Sequence, residues 1–196
     1  MSTSRVSTWE VSESQGIETA WIELGGDALR ARGRAVGTTP EPYWISYELD
    51  TADGFVTRRL QVTAESTDGV RTVDLRHDGA GRWTANGERL PDVDGALDCD
   101  LGLCPLTNTM PVLRHGLHLA PGEREFVMAW VSVPDLTVLP SQQTYTHLGR
   151  GRIRFASGDF RSDIEFDDDG LVVDYPGLAT RLGGRSGGRG PLGHVQ

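Results

Sequence analysis

The residues with the clearest chemical potential lie close together near the middle of the chain. They include a run of four aspartates: Asp92, Asp94, Asp98 and Asp100. Carboxylates in a loop can ligate calcium, but the twelfth position counted from Asp92 is Leu103, where an EF-hand requires a bidentate glutamate. Aspartates also close turns by accepting backbone hydrogen bonds. The pattern therefore favours a structural segment, and we predict no metal site.

The same segment holds both cysteines of the chain, Cys99 and Cys104. Zinc sites use cysteine pairs at similar spacing, but they need a second pair of ligands, for which His115 and His118 are the nearby candidates. The alternative is two buried thiols without a metal, which suits this residue type. Two cysteines in 196 residues also indicate a reducing compartment.

No arrangement of residues in the sequence marks a catalytic site. The run from Gly184 to Gly188 matches the spacing of a nucleophile elbow, but that motif needs a strand before it and a helix after it. Here it lies in a glycine-rich tail. Phosphate-binding loops, dinucleotide fingerprints and zinc-protease motifs are missing from the sequence. We therefore predict that the protein is not an enzyme and uses no cofactor.

Two short runs place arginines at every second position. These arginines are Arg30, Arg32 and Arg34, and Arg150, Arg152 and Arg154. On a strand, such spacing puts the side chains of each run on one face. Either the rows are solvated outer faces that pair with carboxylates, or they hold an anionic head group, because guanidinium binds phosphate and carboxylate in a bidentate way.

The composition argues against some classes of partner. The formal net charge is −9, whereas nucleic-acid binding needs a basic surface or patch. No stretch approaches the roughly 18 apolar residues of a membrane-spanning helix. The N-terminal residues lack the apolar region of a secretion signal. We expect no nucleic-acid partner, no membrane span and a location in the cytoplasm.

Apolar and polar residues alternate along most of the chain, which is typical of strands. Turn residues recur at short intervals, as in antiparallel sheets. One stretch differs. Within residues 106–116, Thr107 or Asn108 can cap a helix, Pro111 falls in its first turn and Gly116 can end it. We predict a mainly β protein with many short antiparallel strands and one short helix.

The chain is expected to fold as one domain over residues 1–182, followed by a disordered glycine- and arginine-rich tail at 183–196. Residues 73–79 and 164–170 share a layout of strand, acidic turn and glycine. This echo arises either from chance similarity of hairpins or from duplicated halves.

The segment 92–111 is expected to be structural. Asp98 and Asp100 should accept backbone hydrogen bonds or pair with an arginine such as Arg114. Thr107 or Asn108 should cap the helix.

Six segments of the chain, in order, resemble the bacterial "putative glycolipid-binding" family. They are residues 57–60 (TRRL), 81–83 (GRW) with Gly87, 94–101 (DGALDCDL), 105–111 (PLTNTMP), 143–146 (QTYT) and 169–178 (DGLVVDYPGL). The resemblance covers the chain from about residue 9 to residue 182. The combination of D-x-D, P-x-T-N-T-x-P and D-Y-P-G is more specific than any of these pieces alone.

The resemblance implies a spiral β-roll, in which a many-stranded antiparallel sheet winds around one helix, and it implies a homodimer. A rolled sheet can enclose an apolar cavity with polar groups at its mouth. We therefore expect non-catalytic binding of an amphiphile such as a glycolipid or an acyl lipid. The alternative is an interaction or scaffold protein whose roll is filled by its own side chains.

If an amphiphile binds, its apolar chain should lie against aromatic residues on the inner face of the roll. The candidates are Tyr43, Tyr47, Trp83, Trp130 and Tyr145. An anionic head should lie near an arginine row, for which the candidates are Arg30, Arg32, Arg152 and Arg154.

Overall fold

A computed structural model describes residues 2–183, which form fifteen strands and one α-helix. The strands are β1 (Ser2–Val11), β2 (Gly16–Gly25), β3 (Ala28–Gly37), β4 (Tyr43–Ala52), β5 (Val56–Ser66), β6 (Gly69–His77), β7 (Trp83–Ala85), β8 (Glu88–Arg89), β9 (Asp98–Leu101), β10 (Glu123–Val131), β11 (Val138–Gly149), β12 (Arg152–Ser157), β13 (Phe160–Phe166), β14 (Val172–Tyr175) and β15 (Ala179–Leu182). The helix α1 (Thr109–His115) follows a 3₁₀ turn at Pro105–Asn108, and two further 3₁₀ turns lie at Asp53–Phe55 and Pro91–Val93. Of the tail predicted at 183–196, only Gly183 belongs to the described residues, so the predicted disorder lies outside them.

All of these strands belong to one sheet, in the order β8–β7–β6–β5–β4–β3–β2–β1–β15–β14–β13–β12–β11–β10–β9. The mainly β class and the single short helix are confirmed. The sheet is mixed at one place, because β9 and β10 are parallel while the other neighbouring pairs are antiparallel. Parallel neighbours need a long crossover connection. Residues 102–122, which contain α1, supply it.

The first and last strands of the chain meet inside the sheet. β1 pairs with β2 on one side and with β15 on the other, so that Thr8 lies opposite Leu182 and Val11 opposite Ala179. Two arms extend from this junction. The first arm is β2–β8 in chain order, and the second arm is β14–β9 in reverse chain order.

The end of the second arm turns back into the interior of the sheet. The backbone N–H of Thr57 in β5 donates to the carbonyl oxygen of Leu97 at 3.0 Å, and the N–H of Cys99 donates to the Thr57 hydroxyl at 3.1 Å. Residues 104–112, which include most of α1, are all buried. The sheet therefore winds around its one helix, as the resemblance implies.

Residues 126–131 of strand β10 are apolar on both faces because two hydrophobic clusters enclose them. Ala129 and Val131 belong to the larger cluster, which contains inward residues of the first arm. Met128 belongs to the smaller cluster, against which Phe126 packs and which the second arm provides. This part of the strand has no solvated face, so its sequence loses the alternation of apolar and polar residues.

Two glycines of β3 make room for tyrosine rings of β4. Gly33 lies opposite Tyr47, and Gly37 lies opposite Tyr43. A Cβ atom at Gly33 would lie 2.2 Å from the Tyr47 ring, and one at Gly37 would lie 2.6 Å from the Tyr43 hydroxyl. Both tyrosines are buried. Each ring therefore lies against a neighbouring strand at a place where only glycine fits.

The predicted helix is present, but its predicted caps are wrong. Neither Thr107 nor Asn108 caps α1 through its side chain. The reason is the 3₁₀ turn before α1, which already gives Asn108 a helical backbone conformation (φ −71°, ψ −9°). Both side chains make other contacts, described below. Gly116 ends the helix in the left-handed conformation with φ 61°, as predicted.

No helix within residues 2–183 combines the length and the apolar character that crossing a bilayer requires. The two echo segments each form the end of a strand, a turn and the approach to an antiparallel partner, in β6–β7 and β13–β14. Hairpins of this kind suit either chance similarity or duplicated halves.

Candidate functional site

The structure separates the aromatic residues that were expected to line one cavity. Tyr43, Tyr47, Trp83 and Tyr145 are at most 3 % exposed and lie in the packed core. The Trp83 indole donates to the carbonyl oxygen of Ala96 at 2.9 Å. Within residues 2–183, these four rings therefore offer no surface to an acyl chain, because they pack against other parts of the protein. Trp130 is half-buried and borders a cleft.

The arginine rows lie on the outer face of the sheet. Arg30 lies 3.4 Å from Asp50, while Arg152 and Arg154 lie 3.6 and 2.7 Å from Asp163. Five strands separate β3 from β12 in the sheet order, and the two rows are not brought together. This arrangement agrees with the first alternative for the rows, a solvated face paired with carboxylates.

Arg32 occupies a different environment. Its guanidinium lies 5.9 Å from the centre of the Trp21 ring, and both border an outer groove of about 580 Å³. Tyr47 and Gly33 also border this groove. Two of the expected ligand residues, Arg32 and Tyr47, thus share one groove. Tyr47 is only 2 % exposed and contributes little accessible surface to it.

A buried ion pair fastens α1 to the sheet. The guanidinium of Arg114 donates to both carboxylate oxygens of Asp98, with 2.8 Å to Oδ2. It also donates to the carbonyl oxygens of Gly54 and Phe55 at 2.8 and 3.1 Å. Burial raises the pKa of Asp98, and the charge and hydrogen bonds of Arg114 oppose that rise. Asp98 therefore has a structural role as an anchor for the helix.

A chain of polar side chains runs from the core to the protein surface. The Asn108 amide donates to the Tyr145 hydroxyl at 2.9 Å, and this hydroxyl donates to the Gln143 Oε1 atom at 3.1 Å. Gln143 donates in turn to Asp100 at 2.6 Å, and Thr107 donates to the other carboxylate oxygen at 2.9 Å. Burial raises the pKa of Asp100, while these two hydrogen bonds lower it. Each side chain in this polar network is held by at least one hydrogen bond to another member.

The outer end of this polar chain opens into a cleft of about 300 Å³, here named the aromatic cleft. Its aromatic lining residues are Trp130, Phe155, Phe160 and Tyr175, and its polar lining residues are Asp100, Asn108, Gln143, Ser141, Ser157 and Glu13. The rings of Phe155, Phe160 and Tyr175 lie 5.9–6.4 Å apart and support one another. Phe160 is 49 % exposed, so part of this aromatic surface faces solvent.

Trp130 packs beside a glycine. The indole lies over Gly102, where an added Cβ atom would be 3.4 Å from the ring and 3.1 Å from the carbonyl oxygen of Val131. Gly102 begins the crossover after β9 and donates its N–H to that carbonyl oxygen at 2.8 Å. The parallel pairing of β9 with β10 therefore brings Trp130 and Asp100 into register on neighbouring strands.

Four of the six segments that carry the family resemblance meet at the aromatic cleft. Asp100 comes from segment 94–101, Asn108 from 105–111, Gln143 from 143–146, and Tyr175 from 169–178. These residues are remote in sequence, and β9, the turn before α1, β11 and β14 position them. Sequence analysis identified Asp100, Asn108 and Trp130 as notable residues, but it assigned them to different roles.

A buried acid was missed by the sequence analysis. Glu18 in β2 is fully buried, and its Oε1 atom accepts a 2.5 Å hydrogen bond from the Tyr47 hydroxyl. Its Oε2 atom has no hydrogen-bond partner within the described residues. Burial raises the pKa of Glu18 to about 8, although the hydrogen bond from Tyr47 lowers it. The alternation along β2 could have indicated this burial, because Glu18 lies on the inward face of the strand with Ala20 and Ile22.

The four aspartates and the two cysteines do not form a common site. Asp94 pairs with Arg89 at 2.5 Å, and Asp92 is exposed. Cys99 and Cys104 are buried and unpaired, and burial raises the pKa of the Cys99 thiol to about 12. Within residues 2–183, no three histidine, cysteine, aspartate or glutamate side chains converge as ligands for a metal ion.

Comparison with known proteins identifies the family. The sequence profile described as "Putative glycolipid-binding" matches residues 6–181. The chain belongs to this family. A solved structure of a DUF1089 family protein from Pseudomonas aeruginosa is similar to this member of the "Putative glycolipid-binding" family. It has a TM-score of 0.73 and 32 % sequence identity, over 84 % of this chain and 92 % of that chain. Among curated proteins, none matches the sequence.

Proposed function

We propose that the protein binds an amphiphile of the glycolipid class without catalysing a reaction, and that the sugar head group occupies the aromatic cleft. One observation carries this proposal: aromatic walls and a fixed polar floor meet in a single cleft. Sugar rings present apolar C–H faces that stack on aromatic rings, and their hydroxyls bond to carboxylates, amides and hydroxyls. The name of the family supports the same ligand class.

The polar floor of the cleft is suited to hydroxyl groups because its donors and acceptors are held in place. Asp100 and Gln143 are fixed by the hydrogen bonds described above and need little reordering when a ligand arrives. Binding loses less entropy when the site is ordered beforehand. A sugar hydroxyl that donates to Asp100 would also make a charge-assisted hydrogen bond, which is stronger than a neutral one.

The charge of the cleft favours a neutral head group. Its ionisable carboxyl groups are those of Asp100 and Glu13, and no arginine within residues 2–183 borders it. This changes our expectation that an anionic head would lie near Arg30 and Arg32 or near Arg152 and Arg154. The volume of about 300 Å³ is at the low end for ligand sites. We propose that the cleft takes the head group while the acyl chain stays outside it.

The alternative remains an interaction or scaffold protein without a small ligand. The filled interior of the roll favours it, because Trp83, Tyr145 and α1 occupy the space where an acyl chain was expected. The two proposals differ in whether a sugar-bearing molecule binds at the aromatic cleft. Either would operate in a reducing compartment such as the cytoplasm, which suits two unpaired thiols.

The first test is native mass spectrometry of the protein purified from its own host, where a co-purified glycolipid supports the proposal. The second is calorimetric titration with dodecyl maltoside below its critical micelle concentration. A polyoxyethylene dodecyl ether, which has the same chain and no sugar, is the matched ligand. We expect the maltoside to bind and the ether not to bind.

Variants of the protein test whether the maltoside binds in the aromatic cleft. Trp130→Ala and Phe160→Ala should weaken binding of the maltoside by about tenfold or more, as the loss of an aromatic contact in a binding site commonly does. Trp44→Ala is the control, because Trp44 is 65 % exposed on the outer face of β4. Equal binding of the two detergents, or equal losses in Trp44→Ala and Trp130→Ala, would refute a sugar site in the cleft.

A further inference from the structure

Four arginines surround a second pocket of about 500 Å³ on the first arm, here named the arginine pocket. They are Arg58, Arg76, Arg82 and Arg89, and the pocket is completed by His77, Asp78 and Thr84. Such a concentration of guanidinium groups is unusual in a chain whose net charge is −9. The aromatic cleft shares none of these residues.

Two of the four guanidinium groups form ion pairs with carboxylates. Arg76 lies 2.9 Å from Asp74, and Arg89 makes two hydrogen bonds of 2.5 and 2.7 Å to Asp94. Within residues 2–183, neither Arg58 nor Arg82 forms an ion pair with any carboxylate, although Asp78 lies in the same pocket. Both guanidinium groups are therefore free of direct ion pairs, although Asp78 and Asp94 lie near enough to Arg82 to interact with its charge.

The backbone near the pocket contacts the Arg58 guanidinium and positions the turn that carries Arg82. The guanidinium of Arg58 lies against Gly79, where a Cβ atom would be only 1.7 Å from its Nη1 atom and where φ is 88°. The carboxylate of Asp78 accepts hydrogen bonds from the backbone N–H groups of Ala80 and Arg82, at 2.7 and 3.0 Å. Asp78 thus holds the turn that carries Arg82.

The histidine of the pocket supplies no charge. His77 Nδ1 lies 3.0 Å from the carbonyl oxygen of Thr57, so this nitrogen must donate. Its Nε2 atom accepts a hydrogen bond from the backbone N–H of Gly81 at 3.0 Å. A ring that donates with one nitrogen and accepts with the other is neutral. The charge of the pocket therefore comes from its four arginines and the Asp78 carboxylate, with the arginines in excess.

We propose that the arginine pocket binds a phosphate or sulfate group, with Arg58 and Arg82 as the principal ligands. The planar guanidinium fork matches two oxygens of such an anion, which lysine cannot do. The Thr84 hydroxyl offers an additional donor at the same pocket. Arg58 and Arg82 also belong to segments 57–60 and 81–83, the two family-like segments that do not reach the aromatic cleft.

The group could be carried by a small free anion or by the head of an anionic lipid, and two titrations distinguish these sources. One is calorimetric titration of the whole protein with inorganic phosphate and with sulfate at low ionic strength, where exposed charges are screened least. The other is co-sedimentation with vesicles of equal parts phosphatidylcholine and phosphatidylglycerol, compared with vesicles of phosphatidylcholine alone.

The test variant is Arg58→Gln/Arg82→Gln, and the control is Arg124→Gln/Arg161→Gln. The control removes the same charge from exposed arginines that bond only to backbone carbonyl oxygens. The single variant Arg82→Gln is included in case the double variant misfolds. Arg82 is exposed, so its replacement should leave the fold intact. Urea midpoints of all the proteins identify any variant that has lost its fold.

Saturable binding of phosphate or sulfate that falls by about tenfold or more in the test variant, and not in the control, would establish a site for a free anion. Vesicle binding with the same dependence, without binding of the small anions, would identify a lipid head group as the source. Absence of both, or equal losses in the test and control variants, would overturn the proposal.

Discussion

Glu18 offers a direct test of the buried charge chemistry. Replacement of Glu18 by Gln keeps the size of the side chain and an acceptor for the Tyr47 hydroxyl, but removes the ionisable group. Burial raises the pKa of Glu18 from 4.5 to about 8, so the folded protein keeps a proton that the unfolded chain releases between these pH values. The free energy of unfolding should therefore fall as the pH rises, by about 1.4 kcal/mol per pH unit at most.

The size of the effect follows from the two pKa values. Between about pH 5.5 and pH 7.5, Glu18 should lower the free energy of unfolding by roughly 2.5 kcal/mol. Below the pKa of the unfolded chain, both states are protonated, so the wild type and Glu18→Gln should be about equally stable. At about pH 7.5 the variant should be more stable than the wild type by about 4 kcal/mol, because the loss accumulates over the whole interval from the unfolded pKa of 4.5.

Urea unfolding, followed by tryptophan fluorescence at several pH values, measures both proteins by linear extrapolation. Other titrating groups, including Asp98 and Asp100, are present in both proteins and cancel in the difference. Glu23→Gln is the control, since it removes a carboxylate from an exposed position of the same strand. If the curves of stability against pH for the wild type and Glu18→Gln run parallel, the buried neutral acid does not exist and the reasoning fails.

Three further predictions concern the anchor of the helix, the strand packing and the assembly. Arg114→Leu should lower the free energy of unfolding by about 3–5 kcal/mol, because it leaves Asp98 buried without its partner, and Arg114→Leu/Asp98→Leu should recover much of that loss in the same urea assay. Gly33→Ala should cost about 1–3 kcal/mol, because its Cβ would overlap the Tyr47 ring, and an unchanged thermal midpoint would contradict that packing. Light scattering after size exclusion should give a mass of two chains of 21.3 kDa, whereas one chain would contradict the homodimer that the resemblance implies.

The alternation of residues was sufficient to predict the strands, because one face of most strands is buried and the other is solvated. Strand β4 is an example, since Tyr43, Ile45, Tyr47 and Leu49 point inward and the residues between them mostly point outward. The alternation is absent from residues 126–131 of β10, where neither face is exposed. It also carries no information about strand order, so neither the parallel pairing of β9 with β10 nor the junction of β1 with β15 could be predicted.

The candidate site was harder to predict because its residues come together only through long-range pairing. Asp100 and Trp130 are neighbours because of the crossover through α1, and no local signal connects them. Aromatic residues were ranked as ligand contacts by type alone, which does not distinguish a ring in a packed core from one at a cleft. Glu18 was overlooked because it belongs to no motif, and only its position on the inward face of β2 marks it.

The junction between β1 and β15 has a consequence for the protein during its synthesis. The first arm can form from local hairpins as soon as it leaves the ribosome, since each strand pairs with the next one along the chain. One edge of β1 stays open, however, until residues 179–182 have been made. An open strand edge can pair with a strand of another molecule. The nascent chain therefore depends on its last strand to close the edge of its first, and a truncation before residue 179 should produce aggregation rather than a slightly smaller folded protein.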